Sequence, residues 1–264
     1  DRQRDRAPPR PRPRLTFALI YHDIAAPAER DSVGFPGPVA GRYKLDPGDF
    51  EAHLDAISGV KLWSPERADG AALTFDDGGA SALHAAERLE TRGWRGHFFV
   101  TTGRVGTPGF LDAEGVRELA ARGHAVGGHS HTHPTYFGKL SRNEQLEEWR
   151  RSRETLAELL GEPPAGASVP GGFFTPVVAE TAAEAGYEWL MTSEPESRVR
   201  SESGIPVIGR YTIWATTPAS RAAAYARGAR LPRARLWLEW NAKQRAKRVS
   251  PRAFEALRRV RARR

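Results

Sequence analysis

The 264-residue chain contains no cysteine, which excludes disulfide bridges and thiolate metal sites and leaves the compartment open. It has no apolar stretch approaching the roughly 20 residues of a membrane-spanning helix. Leu15 to Ile20 follows an Arg-rich start, as the apolar part of a secretory leader would. Tyr21, His22 and Asp23 interrupt that run well short of leader length, so it reads as a buried strand. A chain beginning at Asp1 rather than Met is compatible with a leader already removed. There is no internal repeat. A net positive charge is also missing from the middle of the chain, although the formal net charge is +8. Residues 1–14 hold six Arg and two Asp, and residues 243–264 hold ten Lys or Arg and one Glu, which leaves −5 for residues 15–242. The basic character therefore belongs to two solvated ends rather than to a folded nucleic-acid-binding face; anionic glycan, lipid headgroups or nucleic acid are what such tails would otherwise meet.

What is present is a chain with 39% hydrophobic residues, enough for one sizeable α/β core with appendages. The segment DRQRDRAPPRPRPR, residues 1–14, is too rich in Pro and Arg to pack and predicts an extended arm. From Leu15 on, the strand-like runs LTFALIYH, AALTFDD, GHFFVTT, HAVGGHS, EWLMTS and IPVIGRYTIW alternate with helical patterns. These patterns predict helices over Pro47 to Ile57, Ala80 to Thr91, Asp112 to Arg122, Ser141 to Leu160 and Thr175 to Ala185. Alternation of this kind implies parallel strands joined by crossover helices, with a site at the C-terminal strand ends. Ala25 to Arg42, rich in Pro and Gly, predicts a long loop near that rim, and Ser250-Pro251 predicts the start of a last amphipathic helix. The expected organisation is an arm (1–14), a catalytic domain (15–242) and a basic C-terminal helix (243–264).

Two stretches on the predicted rim carry chemistry. In LTFDDGGAS, residues 73 to 81, Asp76 and Asp77 stand side by side where a strand closes into a turn, and paired carboxylates repel unless positive charge lies nearby. In GGHSHTHP, residues 127 to 134, three of the eight histidines occupy alternate positions. Either an extended or a helical local geometry can direct two of these imidazoles to one ion. Two neutral imidazoles and one carboxylate leave net positive charge on a divalent ion and open positions for water and substrate, as in catalytic rather than structural zinc sites. One of the two aspartates would bind the ion and the other would take a proton from the attacking water. Gly78 and Gly79 would let the backbone turn sharply beneath.

TFDDG followed about fifty residues later by HSxxHP resembles the NodB-homology polysaccharide deacetylases, carbohydrate esterase family four. The resemblance runs from about Leu15 to Arg230, through LTFDDGGASALHAAERLETRGWRGHFFV, GVRELAARGHAVGGHSHTHP and ETAAEAGYEWLMTS. It implies an α/β fold, a distorted (β/α) barrel with about seven strands. It implies Asp76 as general base and Asp77, His129 and His133 as ligands of one divalent ion, zinc before nickel or cobalt. His131 then has a supporting role.

Two features of the family's pattern are absent. Its third motif usually reads RxPxG, with the Arg orienting the base; here SVPGG places Ser168 at the Arg position, while Pro170 and Gly172 match and Gly171 can still offer an oxyanion-holding N–H. The general-acid histidine expected near the C-terminus is missing too, since no histidine follows His133. ALIYHDI, residues 18 to 24, and DFEAHL, residues 49 to 54, resemble the opening of the poly-N-acetylglucosamine deacetylases of biofilm systems, in which the acid histidine is permuted onto the first strand. That resemblance makes His22 the general acid. The implied activity is metal-dependent removal of acetyl from N-acetylglucosamine-containing glycans, with a glycan as partner and neither nucleic acid nor a membrane span. The alternatives are an inactive glycan-binding relative, or a metal-dependent amidohydrolase or esterase acting on another acylated substrate.

Overall fold

The runs LTFALIY, ALTF and HFFV are apolar almost without alternation, the pattern of strands covered on both faces. In the computed structural model, which describes residues 14–63 and 69–249, they form the centre of one sheet. Its strands are β1 (Arg14–Tyr21), β2 (Asp69–Phe75), β3 (His97–Val100), β4 (Ala125–Gly128), β5 (Gly166–Ser168), β6 (Trp189–Met191), β7 (Arg200–Glu202), β8 (Ile205–Ile208) and β9 (Tyr211–Thr212). The order is β7-β8-β6-β5-β4-β3-β2-β1-β9, and every pairing is parallel except β7 with β8. β8 and β9 lie near opposite edges, yet only Gly209 and Arg210 separate them along the chain. Two residues span at most about 10 Å between flanking Cα atoms, so the sheet curls until its edges meet and forms the distorted (β/α) barrel. The count is nine rather than seven because short β7 turns back on β8, and two-residue β9 continues the chain's last strand beyond the break at Arg210.

Helices α1 (Pro38–Gly41), α2 (Pro47–Ile57), α3 (Ala82–Glu90), α4 (Ala113–Ala121), α5 (Arg142–Leu160), α6 (Pro176–Glu184), α7 (Ala219–Ala226) and α8 (Arg230–Val249) complete the described residues. Local chemistry sets their starts. Asp46 accepts from Gly48 N–H with Pro47 in the first turn, Asp112 accepts from Gly115 N–H, and Ser141 and Glu144 form a reciprocal capping box. α2 coincides with its predicted range, and α3 to α6 end within two residues of theirs. β5, β7 and α7 were not anticipated, and α8 begins at Arg230, ahead of the basic C-terminal helix expected over 243–264. The helix predicted from Ser250 and residues 1–13 of the arm lie outside the described residues. None of the described helices is long and apolar enough to cross a membrane.

Packing separates an inside from an outside. Ala18, Ala72, Phe99, Met191 and Ile208 cluster within the barrel, where small residues on the first strands leave room for larger ones opposite. Leu19, Leu73 and Phe75 face outward onto Phe50, Leu54 and Ile57 of α2. A second outer cluster joins Trp149 of α5 and Val178 of α6 to Tyr187, Leu190 and Val207. The Ala25–Arg42 loop folds around one buried cation: Lys44 Nζ donates to the carbonyls of Arg30, Val33 and Phe35.

Candidate active site

Parallel strands deliver residues to the same rim one register step past their last pair. Tyr21 pairs with Phe75, so the next residues, His22 and Asp76, emerge side by side, and Asp76 N–H donates to the Tyr21 carbonyl at 3.0 Å. His129 follows Gly128, the end of β4, and its N–H donates to the Val100 carbonyl at 2.9 Å. Past these points the backbone turns hard. Four non-glycine residues among those described have φ in the left-handed region, and three of them, Asp77 (77°), Ser130 (60°) and His133 (59°), lie here. Such conformations cost on the order of 1–3 kcal/mol each and persist where surrounding structure imposes them. His133 N–H donates to Ser130 Oγ (3.1 Å), which closes the turn that brings His133 back toward His129. Gly78 supplies φ 76°, whereas Gly79 is needed for space: a Cβ there would fall 1.9 Å from Asp23 Oδ1.

The result is a converging donor set. Asp77 Oδ1 lies 3.4 Å from both His129 Nε2 and His133 Nε2, and one donor atom from each of the three residues falls within 4.8 Å of the others. Asp77 Oδ1 is buried without a hydrogen-bond partner among the described residues. His129 Nδ1 lies 3.1 Å from the Ser168 carbonyl; a carbonyl only accepts, so Nδ1 carries the proton and Nε2 presents its lone pair to the cluster. A carboxylate oxygen and two imidazole nitrogens converging on one point fit a divalent cation. Burial pushes the Asp77 carboxyl up, but His129 above all, with His22 and His133, holds it well below the usual carboxylate range. Burial pushes His133 down to about 4, which keeps its imidazole neutral and able to donate an electron pair.

Asp76 belongs to a different arrangement. Its carboxylate takes two parallel bonds from Arg210, Nη1 to Oδ1 at 2.7 Å and Nη2 to Oδ2 at 2.8 Å, while Ser168 Oγ donates to Oδ1 at 3.2 Å. Arg210 is fully buried, with further bonds from Nη1 to Thr74 Oγ1 and from Nε to the Thr192 carbonyl. Burial again works against the Asp76 charge, and the guanidinium outweighs it, holding the carboxyl below its ordinary value. Arg210 is the residue that sequence reasoning missed. Its signal was a single arginine in the apolar run IPVIGRYTIW, at the β8–β9 junction rather than in the third motif. Ser168, at the motif position, links the two halves of the site, since its Oγ also lies 2.5 Å from His129 Nδ1.

The remaining expected residues fall as follows. His22 is half-buried at the end of β1; its ring packs on Tyr43 at 4.6 Å between centroids, and its Nδ1 has no hydrogen-bond partner among the described residues. Burial lowers its pKa against the opposing pull of Asp77 and Asp76. Gly171 adopts φ 66° in the turn after β5, where a Cβ would meet the Thr135 carbonyl at 2.5 Å. His131 stands outside the donor set: its Nδ1 is 3.0 Å from Thr102 Oγ1, and its N–H donates to Glu148 at 2.9 Å.

Residues 64–190 match the protein-family model described as polysaccharide deacetylase. Among solved structures, IcaB from Ammonifex degensii is similar at 25% identity with a TM-score of 0.64, over 81% of this chain and 97% of that one. A Streptococcus pyogenes deacetylase, PplD, solved in complex with acetate, is similar at 21% identity (TM-score 0.65, covering 80% and 97%). A polysaccharide deacetylase from Bacillus cereus is similar at 20% identity (TM-score 0.66, covering 80% and 68%). No curated protein sequence matches the chain.

Proposed function

Because the chain carries a polysaccharide deacetylase domain, we propose that it is a metal-dependent hydrolase that removes N-acetyl groups from N-acetylglucosamine-containing glycans and releases acetate. The observation that carries this reading is the pairing of two differently equipped carboxylates, Asp77 in the open donor set and Asp76 in the grip of Arg210.

Asp77, His129 and His133 would hold the ion, with zinc the best fit to two imidazoles and one carboxylate. When bound, it supplies a Lewis acid that polarises the acetyl carbonyl and makes water easier to deprotonate. Asp76 accepts the proton of the attacking water, and the Arg210 fork and the Ser168 hydroxyl aim its carboxylate. A backbone N–H at Gly171 would hold the developing oxyanion. His22, beside Asp76 on the neighbouring strand, would give a proton to the departing amine nitrogen.

Acetate release measured on N-acetylglucosamine oligomers, peptidoglycan and O-acetyl esters, with and without added zinc, tests the reading. The N-acetylated glycans are expected to give acetate only with metal. Asp76→Asn is expected to keep stoichiometric metal while losing at least about 10²-fold in kcat. Metal-independent release, or an Asp76→Asn variant with full turnover, overturns the assignment.

A further inference from the structure

Three cations sit on aromatic rings around the mouth of this site, each station touching a different site residue. Arg104 lies over Phe35 (5.4 Å) and Phe110 (5.9 Å), and the Phe35 ring packs 4.8 Å from His133. Arg42 lies 5.1 Å over Trp214, which stacks on Tyr43, the ring against His22. Lys139 lies 4.7 Å over Tyr136 and 5.8 Å from Phe173, whose ring edge is 3.7 Å from where a Gly171 side chain would begin. Arg42, Arg104 and Lys139 are all exposed, and among the described residues none of them meets a carboxylate. Several other surface arginines are neutralised: Arg88 and Arg92 by Glu51, Arg122 by Glu90 and Glu118, Arg142 by Glu180 and Glu184. Of the other cations over rings, Arg200 on Phe174 is closed off by Glu194 and Glu196 and Arg210 on Phe99 by Asp76, whereas Arg233 lies over Phe17 and Tyr211 without a carboxylate among the described residues. What sets Arg42, Arg104 and Lys139 apart is their place: each sits on a ring that adjoins a different site residue, within a segment whose formal charge is negative.

We propose that the cleft is built for an acidic glycan, a chain whose sugars flanking the N-acetylated one carry carboxylate or phosphate groups. This rests on the deacetylase reading above. Cations held against aromatic faces are steadied there and keep outer N–H groups available for carboxylate or phosphate groups on a passing chain. The three stations abut His133, His22 and Gly171, so a strand crossing the site runs from one cation to another. The same stations oppose a glucosaminium product, since a freed amine brings like charge toward Arg42, Arg104 and Lys139. Deacetylation should therefore stop at isolated sugars rather than proceed along the strand.

The test compares an N-acetylchitopentaose with the same oligomer carrying C6 carboxylates, and with a C6-phosphorylated version, so that only charge changes. Wild-type enzyme should show kcat/KM at least about tenfold higher on an acidic oligomer, and the advantage should shrink between 0.05 and 0.5 M salt. The carboxylate and phosphate arms say which group is read. In the triple variant Arg42→Gln, Arg104→Gln, Lys139→Gln, the acidic-to-neutral ratio should fall toward one; a purely structural role would lower both substrates together and leave the ratio intact. Equal use of neutral and acidic oligomers by wild type overturns the proposal while leaving the deacetylase reading standing. Tight, salt-sensitive binding of the acidic oligomers without acetate release from any glycan would sink the deacetylase reading alone. Binding of a ten-nucleotide single-stranded DNA as tightly as the carboxylated pentamer would also overturn it, because the stations would then be reading phosphodiester and base.

Discussion

At the scale of single residues, the site separates two tasks that adjacent aspartates would otherwise confuse. Asp77 turns its buried, partnerless oxygen toward two imidazoles, whereas both Asp76 oxygens are occupied by one guanidinium. The left-handed backbone at Asp77 accounts for the difference, because it rotates one side chain away from the direction its neighbour takes. Arg210 is a positioning residue in this scheme, and Arg210→Lys isolates that role: the charge stays and the two-pronged geometry goes. The expected outcome is unchanged metal stoichiometry, KM within about twofold of wild type and kcat lower by about 10–100-fold, as a misaimed base gives. Loss of metal along with turnover would place Arg210 in the donor set's support instead. Sequence inspection exposed the donor set because its members fall in two short motifs. It missed Arg210 because nothing local marks a partner 134 positions from Asp76.

At the scale of elements, legibility followed local chemistry. α2, α4 and α5 carry caps and apolar periodicity that decide their starts without help from the rest of the chain. β5 is three small residues, Gly166 to Ser168, and becomes a strand only because β4 and β6 flank it; α7 opens after Pro218 with no side-chain cap, so nothing local marks its start. The Ala25–Arg42 loop was foreseen as a loop, but its shape depends on Lys44, which replaces a hydrophobic core with an ammonium bonded to three carbonyls. Replacing that residue, Lys44→Met, strands those carbonyls, and each costs about 1–3 kcal/mol when left buried and unpaired. Amide exchange across residues 30–36 is expected to accelerate at least about tenfold. Zinc affinity should fall about tenfold as Phe35 loses its seat on His133. Unchanged exchange in the loop would show that Lys44 does not hold it.

At the scale of the molecule, the barrel has a floor as well as a roof. His97 opens β3 at the end opposite the site, 3.8 Å from the Trp63 ring, with both ring nitrogens unpartnered among the described residues. Burial pushes its pKa from 6.5 down to about 3. The unfolded chain therefore takes up this proton below about pH 6.5 while the folded chain refuses it until about pH 3, so His97 makes stability fall as pH drops through that interval. Carboxylates such as Glu90, held at about 2, add to the same trend, so a difference measurement is required. The stability gap between wild type and His97→Gln should shift in the variant's favour by about 1 kcal/mol per pH unit between 6 and 4; parallel curves would exclude His97 as a source. The strand order has a further consequence, for the chain as it is made. Arg210 leaves the ribosome 134 residues after Asp76, a delay of roughly 7–27 seconds at ordinary synthesis rates of about 5–20 residues per second. Until then Asp76 lacks its guanidinium partner, and burying it alone would cost several kcal/mol. The Asp76 carboxylate thus resists burial in the nascent barrel, and Arg210, whose fork holds it, is also the residue whose arrival lets the sheet close around it.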